Sequence, residues 1–296
     1  MTKPTLGTVI TAMPTPFKAD GAVDFDRAGE LAQKVVAEGS DGVLVAGTTG
    51  ESPTLSHDEK LRLYRVVKEA VGKTPVFAGT GNNDTAASVA LTAEASDTGV
   101  DAILVVGPYY NKPSAEGFYQ HFKAVAAATH LPVIVYNVPG RTGKNIEAAT
   151  TLRLARDVEN ISAVKEASGD LKQITAICAG KPDDFIVWSG DDGLTLPILA
   201  VGGAGIISVA SAVGSRPLRE MVDAFYAGDM AKAAKINGEL APLFDALFLA
   251  SGNPSCVKRA LEICGFPVGG VRLPLVPATE ADTAVIRKAC EGLGLV

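Results

Sequence analysis

Ile161-Ser-Ala-Val-Lys-Glu-Ala-Ser-Gly169 is a short apolar run that ends in a lysine. Ile161, Ala163 and Val164 give it its apolar character. Asn160 before it and Ser168-Gly169-Asp170 after it are turn formers, so it reads as a buried strand followed by a loop. Lysine is almost never fully buried without a purpose. Lys165 can snorkel its charge out past the strand end. Alternatively, its amine is desolvated until it is neutral and nucleophilic, ready to form an imine with a carbonyl. The stretch alone does not choose between these.

Working outward, the same strand-then-helix unit recurs. Strands are expected at Gly7–Met13, Gly42–Ala46, Pro75–Gly79, Asp101–Val106, Pro132–Tyr136, Phe185–Trp188 and Gly205–Val209. Asp24, Ser56 and Ser114 stand where helix N-caps belong, and Glu59 completes a capping box with Ser56. The strands are nearly continuous apolar runs, as parallel strands covered on both faces must be. Eight such units in about 225 residues point to a (β/α)8 TIM barrel rather than a doubly wound sheet. After Tyr226 only helices are expected, over Met230–Ala250, Pro254–Ile263 and Thr279–Leu293. The reading is therefore a catalytic barrel over residues 1–228 and a C-terminal helical extension over 229–296.

Composition removes several classes of function. The chain is 47% hydrophobic and 20% charged, which predicts a large core and excludes disorder. A net charge of -6 without a basic run argues against nucleic acid. No apolar run approaches the roughly 20 residues of a membrane span, and the N-terminus has no apolar signal-peptide segment. A cytoplasmic protein is expected. Cys178, Cys256, Cys264 and Cys290 form no C-x-x-C pattern and read as reduced thiols. His57, His121 and His130 lie on separate segments, so no metal site is expected. Gly47-Thr-Thr-Gly50 lacks the Gly-Lys of a phosphate loop, and Gly202-Gly-Ala-Gly205 precedes a strand instead of opening a helix.

In such a barrel the active site lies at the C-terminal ends of the strands. Thr48 and Thr49, Tyr109 and Tyr110, Tyr136, Arg141, Lys165 and Gly190-Asp191-Asp192 all follow strands in this way. So many polar side chains at one mouth favour the catalytic reading of Lys165. Bringing its pKa from about 10.4 to near 7 would cost on the order of 4–5 kcal/mol. Imine chemistry also needs a proton shuttle, and no histidine stands at a strand end. Tyr136 is the available acid and base, with Thr48 and Tyr110 as candidates for a hydroxyl relay. Arg141 is a fork for a carboxylate.

These residues resemble a known family. Gly47-Thr-Thr-Gly-Glu-Ser52, Gly107-Pro-Tyr-Tyr-Asn-Lys-Pro113, Tyr136-Asn-Val-Pro-Gly-Arg-Thr-Gly143, Val164-Lys-Glu-Ala167 and Ser189-Gly-Asp-Asp192 are similar to motifs of the dihydrodipicolinate synthases, pyruvate-dependent class I aldolases and lyases. The similarity runs through essentially the whole chain. It implies that Lys165 forms an imine with pyruvate and that Thr49 helps hold the pyruvate carboxylate. It implies that Tyr136 moves protons with Thr48 and with a Tyr110 from a neighbouring subunit. Arg141 would bind the carboxylate of L-aspartate 4-semialdehyde, with Gly190 and Ile207 lining the pocket. No cofactor or metal is implied, and the expected assembly is a homotetramer, a dimer of dimers. Another pyruvate aldolase, acting on N-acetylneuraminate or keto-deoxy sugar acids, is the alternative enzyme. A binding protein that lost the chemistry is the alternative outside catalysis.

The resemblance also implies an allosteric pocket for lysine, at Ser52, Pro53, Leu55, His57, Lys60, Asn83, Ala87 and Tyr109. Inhibited members have a glutamate at the position of Ala87 and a histidine at that of Lys60. Weak or absent inhibition is expected here, carried by Ala87 alone if Lys60 points into solvent.

Overall fold

The computed structural model describes residues 3–296. The apolar runs form β1 (Val9–Ala12), β2 (Gly42–Val45), β3 (Val76–Gly79), β4 (Ala102–Val106), β5 (Val133–Asn137), β6 (Ile161–Glu166), β7 (Ile186–Ser189) and β8 (Gly205–Ser208). All are parallel, each pairs with the next in sequence, and β8 closes on β1. The barrel read from the sequence is therefore the fold.

Helices follow the strands on the outside: α1 (Phe25–Ala37), α2 (His57–Val71), α3 (Thr85–Ser96), α4 (Ala115–Ala126), the one-turn α5 (Pro139–Thr142), α6 (Ala148–Asp157), α7 (Leu171–Gly180), α8 (Thr195–Ala200) and α9 (Ser211–Tyr226). Asp24, Ser56 and Ser114 cap α1, α2 and α4 as expected, and Ser56 and Glu59 bond reciprocally. The turn α5 within the loop after β5 was not legible. The helix after β8 bends at Gly214, whose φ of -122° and ψ of 53° are not helical.

Side chains on a strand alternate between faces, and here they feed two cores. Val133, Val135 and Val164 join the layer between strands and helices, whereas Ile134, Tyr136 and Ala163 join the barrel interior. Phe77 and Trp188 meet edge to face inside the barrel, with ring centres 5.9 Å apart.

The extension consists of α10 (Met230–Ala246), α11 (Ser255–Ile263) and α12 (Glu280–Gly292). The first of these ends at Ala246 rather than Ala250, because the chain turns back over the barrel. Asp282 holds that turn by accepting from the backbone N–H of Ser251 at 3.0 Å. A second tie is ionic. Glu51, in the loop after β2, is in the left-handed region (φ 57°) and buried. Its carboxylate meets Lys258 of α11 at 2.6 Å and accepts from the backbone N–H of Arg272 at 2.9 Å. Lys258 also donates to the carbonyl of Gly270 at 2.6 Å.

Breaking one partner of a buried pair strands the other charge, which typically costs about 3–5 kcal/mol. Lys258→Met should therefore lower stability by about that amount in urea unfolding. The double variant Glu51→Gln/Lys258→Met should recover part of the loss. A single variant as stable as wild type would show that the pair is not a tie.

Candidate active site

The β5–β6 ladder places Tyr136 directly opposite Lys165, and the β6–β7 ladder places Lys165 opposite Trp188. Ala163 faces the barrel interior, so Lys165, two residues on, faces it too. Its side chain does not snorkel: Lys165 is 4% exposed, and its Nζ lies 4.5 Å from the centre of the Tyr136 ring. Burial brings its pKa down from 10.5 to about 8; the charge of Asp192 opposes this and that of Arg141 adds to it. About one lysine in ten is then neutral at pH 7. The shift is smaller than the sequence argument asked for, because Asp192 favours the ammonium.

Gly190 keeps this lysine's space open. A Cβ there would come within 2.8 Å of the Ala167 Cβ and 3.0 Å of the Lys165 Cε. Asp192 is buried and pinned. It accepts from the Ser208 hydroxyl and from the backbone N–H groups of Val209 at 3.1 Å and Ala210 at 3.2 Å. Burial raises the Asp192 pKa against these bonds.

Tyr136 is buried, and Thr48 lines the same cavities beside it. Burial pushes its phenol pKa up, while Arg141 and the Thr48 hydroxyl work the other way. The side chain of Arg141 stands on α5, beside Tyr136, and donates to the carbonyl of Asn253 at 3.3 Å. Thr49 is buried, and its hydroxyl accepts from Asn253 Nδ2 at 2.9 Å.

Lys165, Tyr136, Thr48, Thr49, Arg141, Gly190, Asp191 and Asn253 border a cavity of about 180 Å³. That is room for a small ligand, with an amine, a phenol and hydroxyls inside and a guanidinium at the rim. A second cavity of about 390 Å³ shares Thr48, Tyr136 and Arg141 with it and extends to Ser52, Pro53, Leu55, Lys60 and Tyr109.

Comparisons with known proteins show the family. The model of the Dihydrodipicolinate synthetase family matches residues 5–292. The chain belongs to that family. It is 58% identical to the 4-hydroxy-tetrahydrodipicolinate synthase of Moorella thermoacetica over 98% of this chain and 99% of that one. Among solved structures, the dihydrodipicolinate synthase of Bacillus anthracis superposes with a TM-score of 0.94 at 49% identity, covering 97% of this chain and 98% of that one. A DHDPS from Cyanidioschyzon merolae with lysine bound gives a TM-score of 0.97 at 44% identity, covering 99% and 100%.

Some residues named from the sequence stand apart from these two cavities. Tyr110 is 88% exposed and borders neither cavity. Ile207 is packed inside the barrel core instead of lining the space. His57 is exposed and meets Glu94 at 3.0 Å. Ala87 is exposed and Asn83 is outside the lining; Asn82 takes its place. Lys60 does not point into solvent: it is buried, lines the larger cavity, and burial lowers its pKa. Asn253 was missed, because it belongs to the extension and carries no strand-end signal.

An ammonium titrating at about 8 instead of 10.5 costs the folded state about 3 kcal/mol below pH 8. The unfolded chain holds this proton up to its own higher pKa, so the cost fades as pH rises from about 8 to 10.5. Lys165→Met, which fills the space without a charge, should melt roughly 5 °C higher at pH 7. The gain should vanish near pH 10.5. A variant that melts below wild type at pH 7 would contradict a desolvated lysine.

Proposed function

We propose that this enzyme is a lyase that condenses pyruvate with L-aspartate 4-semialdehyde to give 4-hydroxy-tetrahydrodipicolinate, the reaction for which its relatives are named. That places it in lysine and diaminopimelate biosynthesis. The observation that carries the reading is the inward pair of Lys165 and Tyr136 beneath Arg141.

The neutral amine of Lys165 attacks the pyruvate carbonyl, and loss of water leaves the imine. Thr49 and adjacent backbone N–H groups hold the pyruvate carboxylate. Loss of a methyl proton gives the enamine, whose carbon attacks the aldehyde while the aldehyde oxygen takes up a proton. The substrate's own amine then displaces Lys165 in closing the ring. Tyr136 donates and accepts these protons through Thr48. Tyr110 from a second copy of the chain extends the relay. Its exposure and its left-handed φ of 69° support that role, since a bulky residue adopts such a backbone only under constraint. The assembly we propose is a homotetramer of two such dimers. Neither a metal nor an organic cofactor is needed by these steps.

Borohydride reduction with pyruvate should trap a covalent adduct on Lys165, and turnover should require aspartate semialdehyde. Trapping without turnover, but with activity on a sugar acid, would point to another pyruvate aldolase. No trapping at all would point to a binding protein. Arg141→Ala should leave trapping nearly intact while costing roughly 2–4 kcal/mol in kcat/KM for the semialdehyde, the worth of a charged fork. If trapping fell as far as turnover, Arg141 would instead serve pyruvate.

Lysine should inhibit weakly or not at all. Its two ammonium groups would meet Lys60 in the larger cavity. No carboxylate is offered by Ala87, and that of Asp84 is occupied in capping α3. A lost charged hydrogen bond alone costs about 1.5–3 kcal/mol, or roughly ten- to a hundredfold in affinity. Initial rates titrated with L-lysine check this; half-inhibition below roughly a millimolar would mean that an acidic partner is supplied from elsewhere.

A further inference from the structure

The strands that carry Tyr136 and Lys165 are not in simple register. At the start of the pair Val133 aligns with Ile161, but Ile134 aligns with Ala163, so β6 carries one extra residue, Ser162. From there the pairing runs in step to Tyr136–Lys165 and Asn137–Glu166. A one-residue slip turns a strand's side chains to its other face. It would carry Lys165 out of the barrel and into the helix layer.

At the far end of the same pair lies a buried polar bridge. Asn137 and Glu166 are both fully buried, on the face of the strands opposite Tyr136 and Lys165. Asn137 Nδ2 donates to both carboxylate oxygens of Glu166, at 3.0 and 3.2 Å. The backbone N–H of Ser168 donates to the same carboxylate at 2.9 Å and Gln173 Nε2 of α7 at 3.3 Å. Asn137 Oδ1 accepts from the backbone N–H of Ile146 at 3.0 Å. Asn145 completes the ring, accepting from Asn137 at 2.8 Å and donating to Gln173 at 2.7 Å. Every donor in this network has an acceptor, and all the named partners of the carboxylate are N–H groups of neutral residues. Such an arrangement has one polarity. Asn137 must give and Glu166 must take, and each is committed further to its own side: Asn137 to Ile146 before α6, Glu166 to Gln173 in α7.

We infer that Asn137 and Glu166 are positioning residues whose bridge fixes the register of β5 and β6 above the Ser162 irregularity, and so holds Tyr136 against Lys165. They sit on the wrong face to touch substrate. Their backbones extend the effect sideways: Ala167 donates to the carbonyl of Asn137 at 2.9 Å, and Gly190 to that of Glu166 at 2.7 Å. The glycine that leaves room for the lysine is thus hung from the residue behind the lysine. The inference rests on the imine chemistry proposed for Lys165 and adds what keeps its geometry.

The test uses Glu166→Gln, Asn137→Asp and the swapped double variant, in the full-length enzyme, at a temperature where circular dichroism shows each folded. A misplacement of about 1 Å costs on the order of a hundredfold in rate. Each single variant should therefore lose roughly ten- to a hundredfold in kcat and in the rate of borohydride trapping with pyruvate alone, whereas KM for the semialdehyde should stay within about threefold. The swap reverses a polarity that the neighbours of both residues fix from outside, so it should recover little in either rate. Folded single variants that trap and turn over at the wild-type rate, even with a lower melting temperature, would overturn the inference and leave a structural bridge only. A swap as active as the wild type in both rates would overturn the one-way bridge as well. If Glu166→Gln does not fold, Gln173→Met removes one donor without touching either strand. It should show the same split at smaller size, and unchanged rates there would count against the bridge. Absence of trapping in the wild-type enzyme would instead overturn the imine reading.

Discussion

A lysine amine buried inside a barrel is an awkward thing to fold around. Lys165 resides inside the barrel with 4% of its surface exposed, and below pH 8 its charge opposes folding by about 3 kcal/mol. That is a sizeable share of the roughly 5–15 kcal/mol by which domains are stable. The closed barrel tolerates it because two apolar cores hold each strand in place, one inside and one under the helices. The lysine cannot relax outward without turning β6 over, and that would expose Val164 and Ile161 to the wrong face.

What a barrel alone does not supply comes from the extension. Asn253 reaches back to Thr49 and Arg141, one residue at the inner end of the cavity and the other at its rim. Lys258 and Arg272 hold Glu51 and Glu59, so the loop carrying Thr48 and Thr49 is fixed from behind. The extension is thus part of the site's scaffold, although the strand pattern ends at β8.

Fold and chemistry were unequally legible in the sequence. Eight apolar runs with turn residues after each gave the barrel, since parallel strands buried on both faces leave that signature. Lysine, tyrosine and arginine at strand ends pointed to one cavity as the candidate site, because the barrel's geometry sends strand ends to one mouth. Asn253 was not legible, since its role depends on how the extension folds back to Thr49, which lies 204 positions earlier in the chain. Neither was the bridge between Asn137 and Glu166. Each is only a polar residue at the end of a strand until the Ser162 irregularity shows which residues face each other. Lys60 was expected in the pocket unless it pointed into solvent, which helix periodicity alone did not decide; it is buried against the larger cavity.

Burial acts on Lys165 and Tyr136 in opposite senses, and the proposed chemistry uses both. Desolvation penalises whichever form is charged. It therefore lowers the pKa of the amine and raises that of the phenol. Both shifts move towards the uncharged forms: a neutral amine, still the minority form of Lys165 at pH 7, beside a phenol that keeps its proton. Imine formation needs that combination, since the attacking nitrogen must be unprotonated and the departing oxygen must be protonated. The neighbouring charges then trim the balance. Arg141 lowers both pKa values, which helps the lysine and loosens the proton on the tyrosine, whereas Asp192 draws the lysine back towards its ammonium. Placing one guanidinium at the rim and one pinned carboxylate at the base leaves desolvation as the largest influence on both groups, so a single physical cause prepares both partners of the first step.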